Sequence, residues 1–179
     1  MAWQRHIRMM NALRKARSGA SMVEFALCLP IFVLLLLGVA EVGRAILHYH
    51  IINKGLRDST RYLGRVPVTC PAVGTAAGSV DNAANATTAT NLAMTGTLNG
   101  GSNLIDYWTD PATITIEVDC LDNSAGANLC GTEACAGNSI LAVVRMRADV
   151  VYQDLGFLSL FGVGALTFVA DHEEVSIPD

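Results

Sequence analysis

The stretch ASMVEFALCLPIFVLLLLGVA, residues 20–40, decides how this chain is organised. Glu24 is its only charged residue, and the uncharged run from Phe25 to Ala40 has 16 residues. These would form about 24 Å of helix at 1.5 Å per residue, so a helix that crosses a hydrocarbon core of roughly 30 Å needs neighbouring residues as well. The segment therefore predicts a membrane helix over residues 20–43, with Glu24 near one membrane face or inside the bilayer.

Charge is distributed unevenly on the two sides of this segment. Residues 1–19 contain five basic residues and no acid, which leaves 7 basic and 16 acidic residues for the remainder of the chain. By the positive-inside rule, the basic tail lies in the cytoplasm and the chain from about residue 44 onward lies outside. The overall net charge of −4 argues against a nucleic-acid-binding protein.

Different kinds of processing would leave different mature chains. Signal peptidase prefers small residues at positions −3 and −1, which Gly38 and Ala40 supply, and would release a chain that begins at Glu41. A cut after Gly19 would instead keep the apolar helix in the mature protein, with Glu24 as its fifth residue. An uncleaved, membrane-anchored protein is the third alternative.

A basic leader that ends in glycine, a glutamate at mature position five and an apolar stretch broken by proline occur together in RSGASMVEFALCLPIFVLLLLGVAEVGR, residues 17–44. This segment resembles the start of the TadE-like proteins, minor pseudopilins of the tight-adherence (Flp) pilus. The resemblance implies cleavage by an aspartyl prepilin peptidase and a role of the helix in assembly. The residues concerned are Gly19 and Ala20 for cleavage, and Glu24, Phe25 and Pro30 for subunit pairing and assembly.

The resemblance also implies a location and a set of partners. It places the chain in the bacterial inner membrane, with a single pass and the amino terminus in the cytoplasm. Its expected partners are the prepilin peptidase, the major pilin, other minor pseudopilins, the inner-membrane assembly platform and the membrane itself, with no nucleic acid and no cofactor. The function implied is pilus assembly or initiation and surface adherence. The alternative is a secreted or membrane-anchored envelope binding module that does not enter a pilus.

The position of Glu24 in an apolar helix has an energetic consequence. A charged residue there costs roughly 2.5–3.5 kcal/mol on insertion scales, and such residues usually have a partner. If the chain is cut, the free amine of Ala20 lies close to the depth of Glu24, and in a filament one subunit's Glu24 could neutralise a neighbour's amine. The alternative is that Glu24 extends to the cytoplasmic headgroups beside Arg17.

The helix is expected to continue beyond the membrane. Pro30 lacks the amide hydrogen that a helix needs and should bend it, but no further proline occurs before Pro67. We therefore predict a helical stalk over residues 44–66. His48 and His50 are two residues apart and cannot form the i, i+4 pair that helical metal sites use, so no metal site is expected.

The part beyond the stalk, residues 67–179, is predicted to be a small α+β domain. Residues 71–103 are rich in Ala, Thr, Gly and Asn and form either a weak helix or a loop. Alternation of apolar and polar residues predicts three strands that form an antiparallel sheet laid on the outer half of the long helix, as in type IV pilins. The three strands are residues 113–120, 139–152 and 165–176.

Four cysteines lie in this part, and an even number outside the membrane predicts disulfides. They are Cys70, Cys120, Cys130 and Cys135. None of them shows the CxxC spacing of a zinc or redox site, and three pairings are possible. We favour Cys70–Cys120 together with Cys130–Cys135.

The segment LGFLSLFGVGAL, residues 155–166, contains no charge. It forms either a turn that covers the core of the sheet or an exposed apolar patch that meets another pilus subunit or the membrane surface. The sequence contains no GxSxG, P-loop or HExxH motif, so a structural protein is expected and not an enzyme.

Overall fold

A computed structural model describes residues 17–123 and 139–177 of the chain. Contacts between residues divide the chain into two units, Met1–Gly43 and Arg44–Asp179. The elements follow in the order α1 (Arg17–Leu63), β1 (Val68–Thr69), β2 (Gly74–Val80), α2 (Ala83–Thr95), a 3₁₀ turn (Pro111–Thr113), β3 (Ile114–Asp122), β4 (Ile140–Val151), α3 (Phe157–Leu160) and β5 (Thr167–Val175).

Helix α1 confirms the long helix that the sequence predicts. It has 47 residues and contains Pro30 without an interruption of the helix; the bend expected there stays a prediction. It ends at Leu63, where the amide of Gly64 donates to the carbonyl of Thr60 at 2.8 Å, and Pro67 follows soon after. A proline disfavours helical backbone in the residue before it, which is consistent with this end point.

The strands form one antiparallel five-stranded sheet in the order β1-β2-β3-β4-β5. The three predicted strands are confirmed as β3, β4 and β5, with ends that differ from the prediction by one or two residues. Between β3 and β4 the register runs without a break from Ile114 opposite Ala148 to Asp122 opposite Ile140. The fold is therefore α+β with a type IV pilin-like layout, as expected.

Strand β2 was not predicted, because its sequence GTAAGSV has no alternation of large apolar and polar residues. Small residues are required at this place in the sheet. A Cβ atom added to Gly78 would lie 2.8 Å from both the Sγ atom of Cys120 and the Cγ1 atom of Val118. Close packing therefore selects a residue with low strand propensity, which hides the strand from sequence analysis.

Helix α2 resolves the second part of the ambiguous segment 71–103 as a helix. The side chain of Asn82 accepts a hydrogen bond from the amide of Ala84 at 2.9 Å, which caps the amino end. Gly96 ends the helix with a φ of 72°, and its amide donates to the carbonyl of Leu92 at 2.9 Å. Both capping residues are visible in the sequence and could have predicted this helix.

The hydrophobic core lies within the second unit, among the carboxyl-terminal part of α1, helix α2 and one face of the sheet. From α1 it contains Ile52, Leu56 and Leu63, all fully buried. The buried indole of Trp108 belongs to the same core, and its Nε1 atom donates to the Oγ1 atom of Thr113 at 2.8 Å. The remaining fully or nearly fully buried members include Ala89, Ala93, Val118, Cys120, Val144, Met146, Ala148 and Val150.

Gly55→Ala is expected to destabilise the second unit by about 1–3 kcal/mol through overpacking. The physical reason is that a Cβ atom on Gly55 would lie 2.3 Å from the carbonyl oxygen of Ala93 in α2. Denaturant unfolding of the full chain in detergent measures the effect. Gly43→Ala, in the same helix with no atom within 4 Å of the added Cβ, is the control and should cost nothing. Equal unfolding midpoints for the two variants would contradict the close contact.

Candidate functional site: the exposed helix and the surface around Arg44

The predicted cleavage bond, between Gly19 and Ala20, lies in α1, close to Arg17, the first residue that the structure describes. Both Gly19 and Ala20 are exposed. No described part of the chain therefore covers this bond.

Glu24 lies four residues after Ala20, which places the two on the same face of α1. It is exposed, as is Phe25 next to it. Within the described residues, 17–123 and 139–177, no ion pair involves Glu24. An unpaired acid in an apolar helix leaves its charge available to a group on another molecule.

The apolar part of α1 is exposed on all sides, from residue 19 through residue 37. Its most apolar 18-residue window has a mean hydropathy of 2.6, and none of this window is buried. Among the described residues, this is the one helix that is long and apolar enough to cross a membrane. A helix that is apolar all round needs an apolar environment, either lipid or other helices.

The predicted disulfide between Cys70 and Cys120 is confirmed, with an S–S distance of 2.00 Å. It joins the segment that follows α1 to strand β3, across 50 residues of sequence. The predicted pair Cys130–Cys135 lies outside the described residues. Cys28, in the apolar part of α1, is a free and exposed thiol.

Arg44, the first residue of the second unit, contacts the end of strand β4. Its Nε atom donates to the hydroxyl of Tyr152 at 3.1 Å, and its Nη2 atom donates to the carbonyl of Gln153. The guanidinium carbon also lies 5.3 Å from the centre of the Tyr152 ring, within the range of a cation–π contact. One turn further along α1, the Nδ1 atom of His48 lies 2.9 Å from the hydroxyl of Tyr107.

An open cleft of about 460 Å³ lies beside these contacts. It is lined by Arg44, His48, Tyr107 and Gln153, together with Leu104, Asp106, Asp154 and Leu155. Sequence analysis did not find this cluster, because Tyr107 and Tyr152 are 59 and 108 residues from their partners on α1. His48 is hydrogen-bonded to a tyrosine, and among the residues the structure describes no group of three His, Cys, Asp or Glu side chains could hold a metal ion. The cluster ties α1 to the loops at one end of the sheet.

The outer face of the sheet carries a row of charges across three strands. Arg145 of β4 stands between Glu117 of β3 and Glu173 of β5 in the strand register. Its guanidinium lies 2.6 Å from Glu173 and 3.4 Å from Asp119. The hydrogen bond to Glu173 and the charge of that carboxylate raise the pKa of Arg145. This row fixes the strand register on the face that the core does not use.

Most of the described side chains of segment 155–166 are exposed, which favours an exposed apolar patch over a turn that covers the core. Leu155 is 72% exposed and Phe161 is 59% exposed. The carboxylate of Asp154 supports the conformation of the segment, because it accepts hydrogen bonds from the amides of Gly156, Leu158 and Ser159 at 3.0–3.3 Å. The side chains of Phe157 and Leu160, which the sequence also placed in this segment, lie outside the described part of the structure. The described part of the segment therefore forms an exposed apolar patch.

Comparison with known proteins gives one match. The family model for TadE-like proteins matches residues 19–61, which is less than half of the chain but covers most of α1. None of the curated proteins and none of the solved structures matches. The match begins at Gly19 and includes Glu24, Phe25 and Pro30, so it contains every helix residue that the sequence singled out. Residues 19–61 are therefore similar to the corresponding part of the TadE-like proteins.

Proposed function

We propose that this protein is a membrane-anchored minor pseudopilin of the tight-adherence pilus and that a prepilin peptidase cuts it between Gly19 and Ala20. The observation that carries the proposal is the fully exposed apolar helix at residues 19–37, which is also the start of the TadE-like match. In the inner membrane lipid covers this surface, and in a pilus the helices of other subunits cover it.

The proposed cut also gives Glu24 a partner. Cleavage leaves a free amine on Ala20 at the start of the helix, one turn before Glu24. A carboxylate near a helix amino terminus is favoured by the helix dipole, and an amine from a neighbouring subunit offsets the cost of placing the charge in an apolar environment. The exposure of Glu24 and its lack of an ion pair among the described residues support an intermolecular partner.

The role is structural and not enzymatic. The amino terminus lies in the cytoplasm and the second unit lies outside the inner membrane, an orientation supported by the five basic residues in residues 1–19. The partners are the prepilin peptidase, the major pilin, other minor pseudopilins and the inner-membrane assembly platform. The protein acts in assembly or initiation of the pilus, and surface adherence follows from the pili that form.

Amino-terminal sequencing of the protein from cells that have prepilin peptidase tests the proposal, and we expect a chain that begins at Ala20. Gly19→Leu should block this cleavage because a bulky residue replaces the small one before the cut, while membrane insertion continues. Ala40→Leu is the matched control, since it blocks only an ordinary signal peptidase. A mature chain that begins at Glu41, or full-length chain in cells with active peptidase, would contradict the proposal.

A further inference from the structure

Strand β5 runs alongside α1 in the same direction. At its start, the ring of Phe168 lies 5.9 Å from the ring of Tyr49 on α1. Beyond its end, the amide of Ile177 donates to the carbonyl of Gly64, just after the end of α1, at 2.8 Å. Since β4 is antiparallel to β5, the connection between these two strands must lie at the end of the unit where α1 enters it.

The contacts of Arg44, the first residue of the second unit, show that the connection between β4 and β5 lies beside this residue. Arg44 holds the hydroxyl of Tyr152 and the carbonyl of Gln153, where the connection begins. The amide of Tyr152 donates to the carbonyl of Leu166, where the connection ends, at 2.7 Å. Both ends of segment 155–166, which we call the basal loop, are thus tied to the level of Arg44 on the helix.

The basal loop presents an apolar surface that is built to be exposed. Its conformation uses Gly156 and Gly162 at φ values of 93° and 70°, and an added Cβ at either position would meet no atom within 4 Å. Asp154 closes its first turn by accepting three amide hydrogen bonds. The loop carries no charge, and among its described side chains the large exposed apolar ones are Leu155, Phe161, Val163 and Leu166.

We propose that the basal loop lies in the headgroup region of the outer face of the membrane that α1 spans, with its apolar side chains directed into the boundary of the acyl chains. This inference rests on the membrane anchor of the proposed function. Arg44 is the first residue after the predicted membrane helix, residues 20–43, whose uncharged run ends at Ala40, so the helix leaves the bilayer close to this level. The loop is tied to that residue and therefore stays at the membrane surface.

The tyrosine residues near the basal loop are consistent with a position at the membrane surface. The exposed Tyr49 and the half-buried Tyr107 lie at this end of the unit, and tyrosine is enriched where membranes meet water. Apolar side chains that enter the boundary of the acyl chains gain free energy in proportion to the area they bury. Lipid is favoured over a protein partner because the anchor places lipid beside the loop in each copy that lies in the membrane, without a separate binding event.

The test uses the full chain in vesicles of phosphatidylethanolamine and phosphatidylglycerol, with the photo-crosslinker p-benzoylphenylalanine in place of Phe161. The control is the same crosslinker in place of Val73, which is also apolar and exposed but lies at the opposite end of the sheet. Gly74, the next residue, pairs with Cys120 of β3, and Cys120 pairs with Ala142 of β4. The carbonyl of Ala142 accepts a hydrogen bond from the amide of Ser176, just after the end of β5, so Val73 lies at the end of the sheet where β5 ends. We expect lipid adducts at position 161 and none at position 73.

Each other result overturns the inference. Crosslinks between protein chains at position 161 without lipid adducts would assign the patch to a second copy, and equal lipid adducts at both positions would show contact that does not depend on the loop. The crosslinker in place of Leu155 repeats the test if the chain labelled at position 161 does not fold. Alkaline carbonate extraction of the same vesicles separates the two proposals: a chain that stays in the membrane without adducts contradicts the loop contact alone, whereas a chain that is extracted contradicts the anchor as well.

Discussion

Replacing Glu24 by Gln or by Ala is expected to abolish or strongly reduce pilus formation, while the protein remains in the membrane and is still cleaved after Gly19. Both variants remove the charge that would pair with the Ala20 amine of a neighbouring subunit, and Gln does so with almost the same shape. The loss should therefore be similar in the two variants. Pilus yield and adherence, compared at equal amounts of the protein in the membrane, measure the effect.

The controls for this experiment come from the same helix. Cys28→Ala changes an exposed residue one turn after Glu24 without a change in charge, and it should leave piliation normal. If Glu24 only extends to the headgroups, its removal relieves an insertion cost of roughly 2.5–3.5 kcal/mol, and piliation should also stay normal. Normal pili in both Glu24 variants would thus exclude the pairing role. Cleavage is checked on the same samples, because uncleaved protein would also fail to assemble.

Removal of the Cys70–Cys120 disulfide is expected to destabilise the second unit by about 4 kcal/mol, from the loop-closure entropy of two cysteines with a sequence separation of 50. A loss of this size should lower the Tm by roughly 10 °C in a unit of this length. The variant Cys70→Ala with Cys120→Ala is compared with the wild type in thermal unfolding of the full chain. Alanine is used because Cys120 is fully buried and serine would place a hydroxyl group in the core.

Cys28→Ala is the matched control, since it makes the same substitution at a free cysteine and should leave the Tm unchanged. An unchanged Tm in the double variant would mean that the disulfide does not constrain the unfolded chain. Peptide mapping of the wild type without reductant is expected to recover the Cys70–Cys120 pair. The same map tests the predicted Cys130–Cys135 pair.

The elements that could be predicted from the sequence are those with a strong local period. Helix α1 follows from a long apolar run and the absence of proline between Pro30 and Pro67, and it ends at Leu63, three residues before the predicted end of the stalk at residue 66. Strands β3, β4 and β5 follow from the alternation of apolar and polar residues, because one face of each strand meets the core and the other meets the solvent. Glu24 and the Gly19–Ala20 bond could also be singled out from the sequence, because a charge in an apolar run and a glycine at the end of a basic leader are local features; their roles stay predictions.

The sequence by itself therefore determined the long apolar helix, three of the five described strands and the α+β class. It left three cysteine pairings open, and only the tertiary structure decided for Cys70–Cys120. The tertiary structure also decided the position of β2, since Gly78 is selected by its contact with Cys120 and not by strand propensity. It further decided that the described side chains of segment 155–166 are mostly exposed at the Arg44 end of the unit. The physical reason is that periodicity reports which face of one element is apolar. Periodicity does not report which distant segment covers that face. This depends on contacts between residues far apart in sequence, such as Arg44 and Tyr152, which are separated by 108 residues.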